Sequence, residues 1–201
     1  MAEILPPQSW TEKYKPVFLA EIVGNTQIIQ RFADMIENQN IPHMIITGVS
    51  GVGKTISANC LVNSYKNKYP TCILTINGSE IRSVDVLKSK ILIFGQKKIE
   101  HNANCLVIID EIDSIHSSIQ QTLRRLIDDF SSKISFIFIC NTLCKIIEPI
   151  QSRCTIFNMS RLSDENVSST IKSICIKEDM EFTQGGIDAI TLISDGDIRF
   201  A

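Results

Sequence analysis

Nowhere in this chain does an apolar run approach the roughly 20 residues that cross a bilayer, so no membrane partner is expected. The N-terminal stretch MAEILPPQSW holds no basic segment followed by an apolar core. No secretory leader is read there, and the expected location is the cytoplasm or a nucleus. An excess of one charge is missing as well. Lysine and arginine number 20 against 22 aspartates and glutamates, a formal net charge of −2, which argues against a uniformly basic nucleic-acid binder but leaves room for a local basic face. Histidine is scarce: His43, His101 and His116 stand isolated. A zinc set is lacking, because Cys140 and Cys144 form a C-x-x-x-C pair with no second pair and no nearby histidine. The seven cysteines are scattered, several inside apolar runs, as buried thiols in a reducing compartment would be. No internal repeat and no low-complexity tract is present.

What remains is ordinary globular composition, 44% hydrophobic and 21% charged over 201 residues. That length suits one α/β domain and part of a second unit. Runs rich in Ile, Val, Phe and Cys read as buried strands at 43–47, 71–76, 105–110, 134–140 and 155–157. Helical segments between most of them predict a parallel sheet covered on both faces. The clearest helix follows Asp113, where Ile115, Ile119, Leu123, Leu126, Ile127 and Phe130 recur at helical spacing. After Arg161 two helices follow without strands, and a third is expected to begin at GDIRFA. The expected division is therefore an α/β domain over 1–160 and a small helical unit over 161–201.

Chemistry is concentrated in GVSGVGKT, residues 48–55, which fits G-x-x-x-x-G-K-[ST] between a strand and a helix. In such a loop the glycines let backbone N–H groups turn onto phosphates, and the helix N-terminus adds partial positive charge. Lys54 is expected to reach the β- and γ-phosphates, with Thr55 ligating Mg²⁺. The strand CLVIID ends in Asp110, which can face the same ion, and Glu111 beside it can polarise an attacking water. Asn141, at the end of another strand, can hold that water or the γ-phosphate from the opposite side.

In order along the chain, WTEKYKP, EIVGN, IPHMIITG, DEIDSIHSSIQQTLRRLID, QSRC and GDIRFA make the sequence similar to the small subunits of replication factor C, sliding-clamp loaders of the AAA+ class. The resemblance runs from Trp10 to Ala201. It implies a P-loop AAA+ fold, a parallel five-stranded α/β sheet flanked by helices and followed by a partial helical lid. The implied ligands are ATP and Mg²⁺. Gly48, Val49, Ser50, Gly51, Val52, Gly53, Lys54, Thr55 and Ile56 match the phosphate-binding segment, while Thr11, Tyr14 and Val23 match contacts to the adenine. Asn141 matches the first sensor, Arg199 the second sensor carried by the lid, and Arg153 of SRC the arginine finger offered to a neighbouring subunit.

Primer-template DNA, the sliding clamp and other loader subunits are the implied partners. The matching DNA-tracking positions are Arg82, Ser83 and Val84 at one helix start and Ile115, His116 and Ser117 at another, with backbone N–H groups contributing. SKILIFGQ resembles the clamp-docking segment, in which Ile91 and Phe94 stand one helical turn apart, either as an apolar knob or facing the core. Ser50 and Val52 replace the family's usual Pro and Thr, and Gly78 and Ser83 alter its NASDxRG pattern. The helical collar of the family has no match here. Two rivals stay open: another AAA+ DNA motor such as a branch-migration helicase, and an ATP-binding scaffold with little turnover.

Overall fold

The five runs of β-branched and aromatic residues all form strands in a computed structural model, which describes residues 9–69, 71–81, 83–96 and 104–201. The elements in chain order are α1 (Trp10–Lys13), α2 (Thr26–Glu37), β1 (Met44–Gly48), α3 (Lys54–Lys68), β2 (Thr71–Asn77), α4 (Val84–Gln96), β3 (Asn104–Asp110), α5 (Ser117–Phe130), β4 (Ile134–Cys140), α6 (Glu148–Gln151), β5 (Thr155–Met159), α7 (Asp164–Lys177) and α8 (Gln184–Ser194). All strand pairs are parallel, in the order β2-β3-β4-β1-β5.

Although the strands read as unbroken apolar runs, their side chains still alternate between two packing layers. Ile45, Val107, Ile109, Phe136 and Phe138 face the layer closed by α4 and α5. Met44, Ile46, Leu106, Ile108, Ile137 and Ile139 face the other, closed by α2 and α3. Burial on both faces is why no polar alternation marks these strands, each such side chain contributing about 1.5–3 kcal/mol.

The chain leaves β1 for the far edge at β2 and returns through β3 and β4, so the segments after β1, β3 and β4 emerge at one end of the sheet. That reversal of direction is where open α/β sheets place ligands. The expected helix after Asp113 starts later than its periodicity suggests. Ile112–Ser114 form a 3₁₀ turn, Ile115 is extended, and α5 begins at Ser117 under His116, whose Nδ1 accepts the Ser118 N–H at 3.3 Å. At GDIRFA a single turn follows Asp197, whose Oδ1 accepts the Arg199 N–H at 2.9 Å.

Helix α4 corrects one expectation. Leu87, Ile91 and Phe94 form its buried stripe, and Ile91 and Phe94 are 0% and 6% exposed within the core. A three-residue spacing cannot separate a docking knob from a core stripe, and here the sheet takes both side chains.

Helices α7 and α8 pack on each other and are capped by Ser163 and Thr183, whose hydroxyls accept the N–H groups of Asn166 and Gly186. Asn25 exchanges hydrogen bonds of 3.0 Å with the Ser160 backbone just before α7 and fixes the end of β5 from which the two helices depart. All seven cysteines are free thiols: Cys60, Cys105, Cys140 and Cys175 buried, Cys72 and Cys154 partly buried, Cys144 exposed. Burial pushes Cys60 and Cys105 up to about 11 and Cys154 up to about 12. No helix among the described residues is long and apolar enough to cross a membrane.

Candidate functional site

Between β1 and α3 the chain turns through Gly51 and Gly53 at φ +83° and +88°, a left-handed backbone that glycine adopts without strain. A Cβ at Gly51 would also collide with the carboxylate of Asp197, which the turn after α8 sets against the loop. Gly53 is the cap residue of α3 and offers no side chain to its first-turn N–H groups. The start of this 15-residue helix is therefore directed at the cleft with its donors unclaimed by a cap.

Lys54 is buried, and its Nζ donates to the Val49 carbonyl at 2.7 Å across the loop. Desolvation holds its ammonium below the ordinary lysine range, with Arg199 adding to the effect and Asp110 and Asp113 opposing it. Thr55 Oγ1 donates to Asp110 Oδ2 at 2.9 Å, and Asp110 Oδ1 accepts the Glu111 N–H at 2.9 Å. A hydroxyl beside a carboxylate is a hard oxygen pair of the kind Mg²⁺ prefers. Glu111 is exposed and held at φ +54°, a strained setting for a non-glycine residue, with its carbonyl accepting from Ser114 Oγ at 2.7 Å.

Asn141 stands just past β4, on the opposite wall. Its N–H and that of Thr142 both donate to Asp113 Oδ2 at 3.2 Å, so the third acid of DEID fixes the loop that carries Asn141. Together Gly51, Lys54, Thr55, Asp110, Glu111 and Asn141 line a polar cleft of about 140 Å³. It opens, through Gly53, Ile56, Ile198 and Arg199, into a mainly apolar cavity of about 230 Å³. Thr11, Tyr14 and Val23 all line this second cavity, with Val52 on the loop side and Ile171, Ile174 and Cys175 of α7 opposite. A polar end with N–H donors and a lysine, joined to an apolar end the size of a flat ring system, fits a nucleoside triphosphate. Arg199 sits at the join, its Nη2 donating to Ser50 Oγ at 3.1 Å and its Nε 3.7 Å from Asp197. Gly48 closes β1 against Met159 of β5.

Other expected residues lie apart from the cleft. Arg153 lines neither cavity. Its Nε and Nη2 hold Asp128 at 2.6 and 3.2 Å, and its Nη1 donates to the Pro149 carbonyl at 2.7 Å. Arg82 lies outside the described residues. Ser83 is exposed at the start of α4, whereas Val84 is partly buried against the core. His116 and Ser117 are exposed. Ile115 is a correction: its side chain is 3% exposed and its N–H already donates to the Ile112 carbonyl, so neither faces a ligand.

Three residues that organise the site escaped the sequence reading. Asp113 had a visible signal, a third acid two residues after Glu111. Gln120 is 1% exposed and bonds the carbonyls of Ile115 and Lys145 and the N–H of Ile147, and its signal was an amide beside the apolar stripe of α5. Glu178, at the end of α7, had none.

Residues 44–162 match the model of the ATPase family associated with various cellular activities (AAA). The chain is 42% identical to Replication factor C subunit 4 of Saccharomyces cerevisiae over 195 residues, 96% of this chain and 60% of that protein. To the Replication factor C small subunit of Methanococcus maripaludis it is 40% identical over 194 residues, 96% of this chain and 62% of that one. The chain thus spans about 60% of the length of these curated relatives. Among solved structures, the RuvB Holliday junction branch migration motor of Thermotoga maritima superposes with a TM-score of 0.75 at 18% identity, covering 93% of this chain and 62% of that one. At that identity the likeness is one of fold alone.

Proposed function

Because this chain belongs to the AAA family of ATPases, we propose that it binds and hydrolyses ATP as a subunit of a sliding-clamp loader, joined to other loader subunits and acting with the clamp on primer-template DNA. The observation that carries the ATPase reading is the joined pair of cavities, with Lys54, Thr55, Asp110 and Glu111 at one end and an apolar chamber at the other. The loader reading is favoured over a branch-migration motor by sequence. Relatives at 40–42% identity carry the name replication factor C, against 18% for RuvB. In this reading the protein works inside the cell, in the nucleus or cytoplasm.

In this reading the α3 N-terminus and Lys54 hold the phosphates. Thr55 and Asp110 would hold Mg²⁺, which would neutralise charge on the phosphate oxygens. Glu111 accepts a proton from the attacking water, and Asn141, steadied through Asp113, orients that water. Arg199 touches the nucleotide of its own chain from residues 161–201, which act as a lid on the 1–160 body. Arg153, outside the cleft, serves a neighbour's nucleotide. Ser83, His116 and Ser117 face the DNA backbone, with Arg82 as a further candidate.

ATP turnover measured with and without primer-template DNA and clamp, in the presence of partner subunits, tests the proposal. Stimulation by both together is the expected result. ATP binding with no turnover under any condition would establish the scaffold alternative instead.

A further inference from the structure

Helix α1 is a four-residue turn with no buried side chain, yet it and the following Tyr14 form one wall of the apolar cavity. Such a short segment has neither helical cooperativity nor a core of its own to hold it. Among the described residues, every hydrogen bond that leaves residues 9–15 for a distant part of the chain ends on one carboxylate, that of Glu178. Lys13 Nζ donates to Glu178 Oε1 at 2.5 Å and Tyr14 Oη donates to the same oxygen at 2.7 Å. The Nζ atoms of Lys13 and Lys177 each stand 5.5 Å from the centre of the Tyr14 ring.

Glu178 is the residue that closes α7, one turn beyond Ile174, and its side chain is only 19% exposed. Thr170, Ile171, Ile174 and Cys175 of that helix line the opposite side of the same cavity. One carboxylate therefore joins the wall made by the N-terminal segment to the wall made by α7. Two charge-assisted bonds to a sheltered acceptor, one of them from the ring that lines the cavity, fix position as well as supply attraction. Neither Glu178 nor Lys13 lines the cavity, so the latch pair stands behind its walls rather than inside it.

We propose that Glu178 is a latch that fastens residues 10–14 against α7 and thereby positions the Tyr14 ring for the base of a bound nucleotide. The proposal rests on the nucleotide reading above and makes Glu178 a positioning residue that does not itself touch the ligand. Affinity for the base then depends on how α7 sits against the body, whereas affinity for the phosphates does not.

Trp10, the single tryptophan of the chain, lies in the latched segment and lines the cavity, so its emission reports the latch without any nucleotide. The test uses the 201-residue chain and its Glu178→Ala, Glu178→Gln and Tyr14→Phe variants, titrated with ATP and with inorganic tripolyphosphate, which has no base. In Glu178→Ala, Trp10 emission should shift to the red in the nucleotide-free protein, and ATP affinity should fall about tenfold with tripolyphosphate affinity unchanged. Glu178→Gln keeps an acceptor for Tyr14 but loses the ion pair, and should fall between Glu178→Ala and wild type. Tyr14→Phe keeps the ring and should lose about threefold.

Wild-type emission and wild-type ATP affinity in Glu178→Ala would remove the latch and leave the nucleotide reading standing. Equal losses of ATP and tripolyphosphate would overturn it too, by showing general damage to α7. A wild-type chain that binds tripolyphosphate but has no added affinity for ATP would overturn the base-positioning role, and one that binds neither would overturn the nucleotide reading with it.

Discussion

At the phosphate end of the cleft, Gly51, Lys54 and Thr55 lie within one turn of chain and are placed by β1 and α3. At the base end, Thr11, Tyr14, Val23 and Ile174 come from opposite ends of the sequence and meet only when α7 docks. The phosphate end is thus set by local backbone geometry and the buried sheet beneath it. The base end is set by packing between segments that have few other ties. A ligand that uses both ends meets a locally built half and an assembled half, coupled where Arg199 reaches Ser50 of the loop.

The sharpest way to break the phosphate end is Lys54→Ala, which should lower ATP affinity about a hundredfold by removing a buried charge partner, as isothermal titration would read. Glu111→Gln lies at the same end but acts on chemistry. It should leave ATP affinity within about twofold and cut single-turnover hydrolysis by about 10² or more. Unchanged turnover there would take Glu111 out of the reaction.

Arg199 stands at the join of the two halves and Arg153 outside both. In the isolated chain, Arg199→Ala should weaken ATP binding by about three- to tenfold, a modest loss because the guanidinium is exposed, and Arg153→Ala should leave it unchanged. Equilibrium binding of both variants decides the point, and an equal loss in the two would dissolve the distinction.

The smallest effect is on pH. Lys54 is held below its ordinary value of 10.5 by desolvation, so the phosphate end loses its charge as pH rises through that lowered value, and affinity fades on the alkaline side earlier than an ordinary lysine would dictate. Glu178 is held below its ordinary 4.5, first by its hydrogen bond from Lys13 and then by that from Tyr14. The latch is fully present above 4.5 and is lost only as pH falls through the depressed value. Binding isotherms across pH should be flat through the neutral range, with an alkaline limb in every latch variant and an acid limb that Glu178→Ala lacks.

The same contrast explains what was legible in the sequence. The five strands could be read from composition because burial on both faces demands unbroken Ile, Val and Phe. The phosphate loop could be read because its residues are contiguous and each type has a mechanical reason to be there. Thr11, Tyr14, Val23 and Arg199 became visible only through resemblance to a family, since no spacing rule links the two ends of a chain. Glu178 was not legible at all: a glutamate after a helix is ordinary, and its partner lies far away in sequence. Ile91 and Phe94 failed in the opposite sense, because one spacing served two meanings and only the packing of α4 on the sheet chose between them.

The distribution of thiols gives the molecule a built-in chemical address. Thiolate is the reactive form, and burial keeps Cys60, Cys105 and Cys154 protonated far above neutral pH, while Cys144 alone lies open to solvent. A maleimide dye should therefore attach first at Cys144, three residues past Asn141 and at the far side of the loop that Asp113 pins. Without any engineered cysteine, the chain can carry an optical probe three residues from Asn141, which lines the cleft.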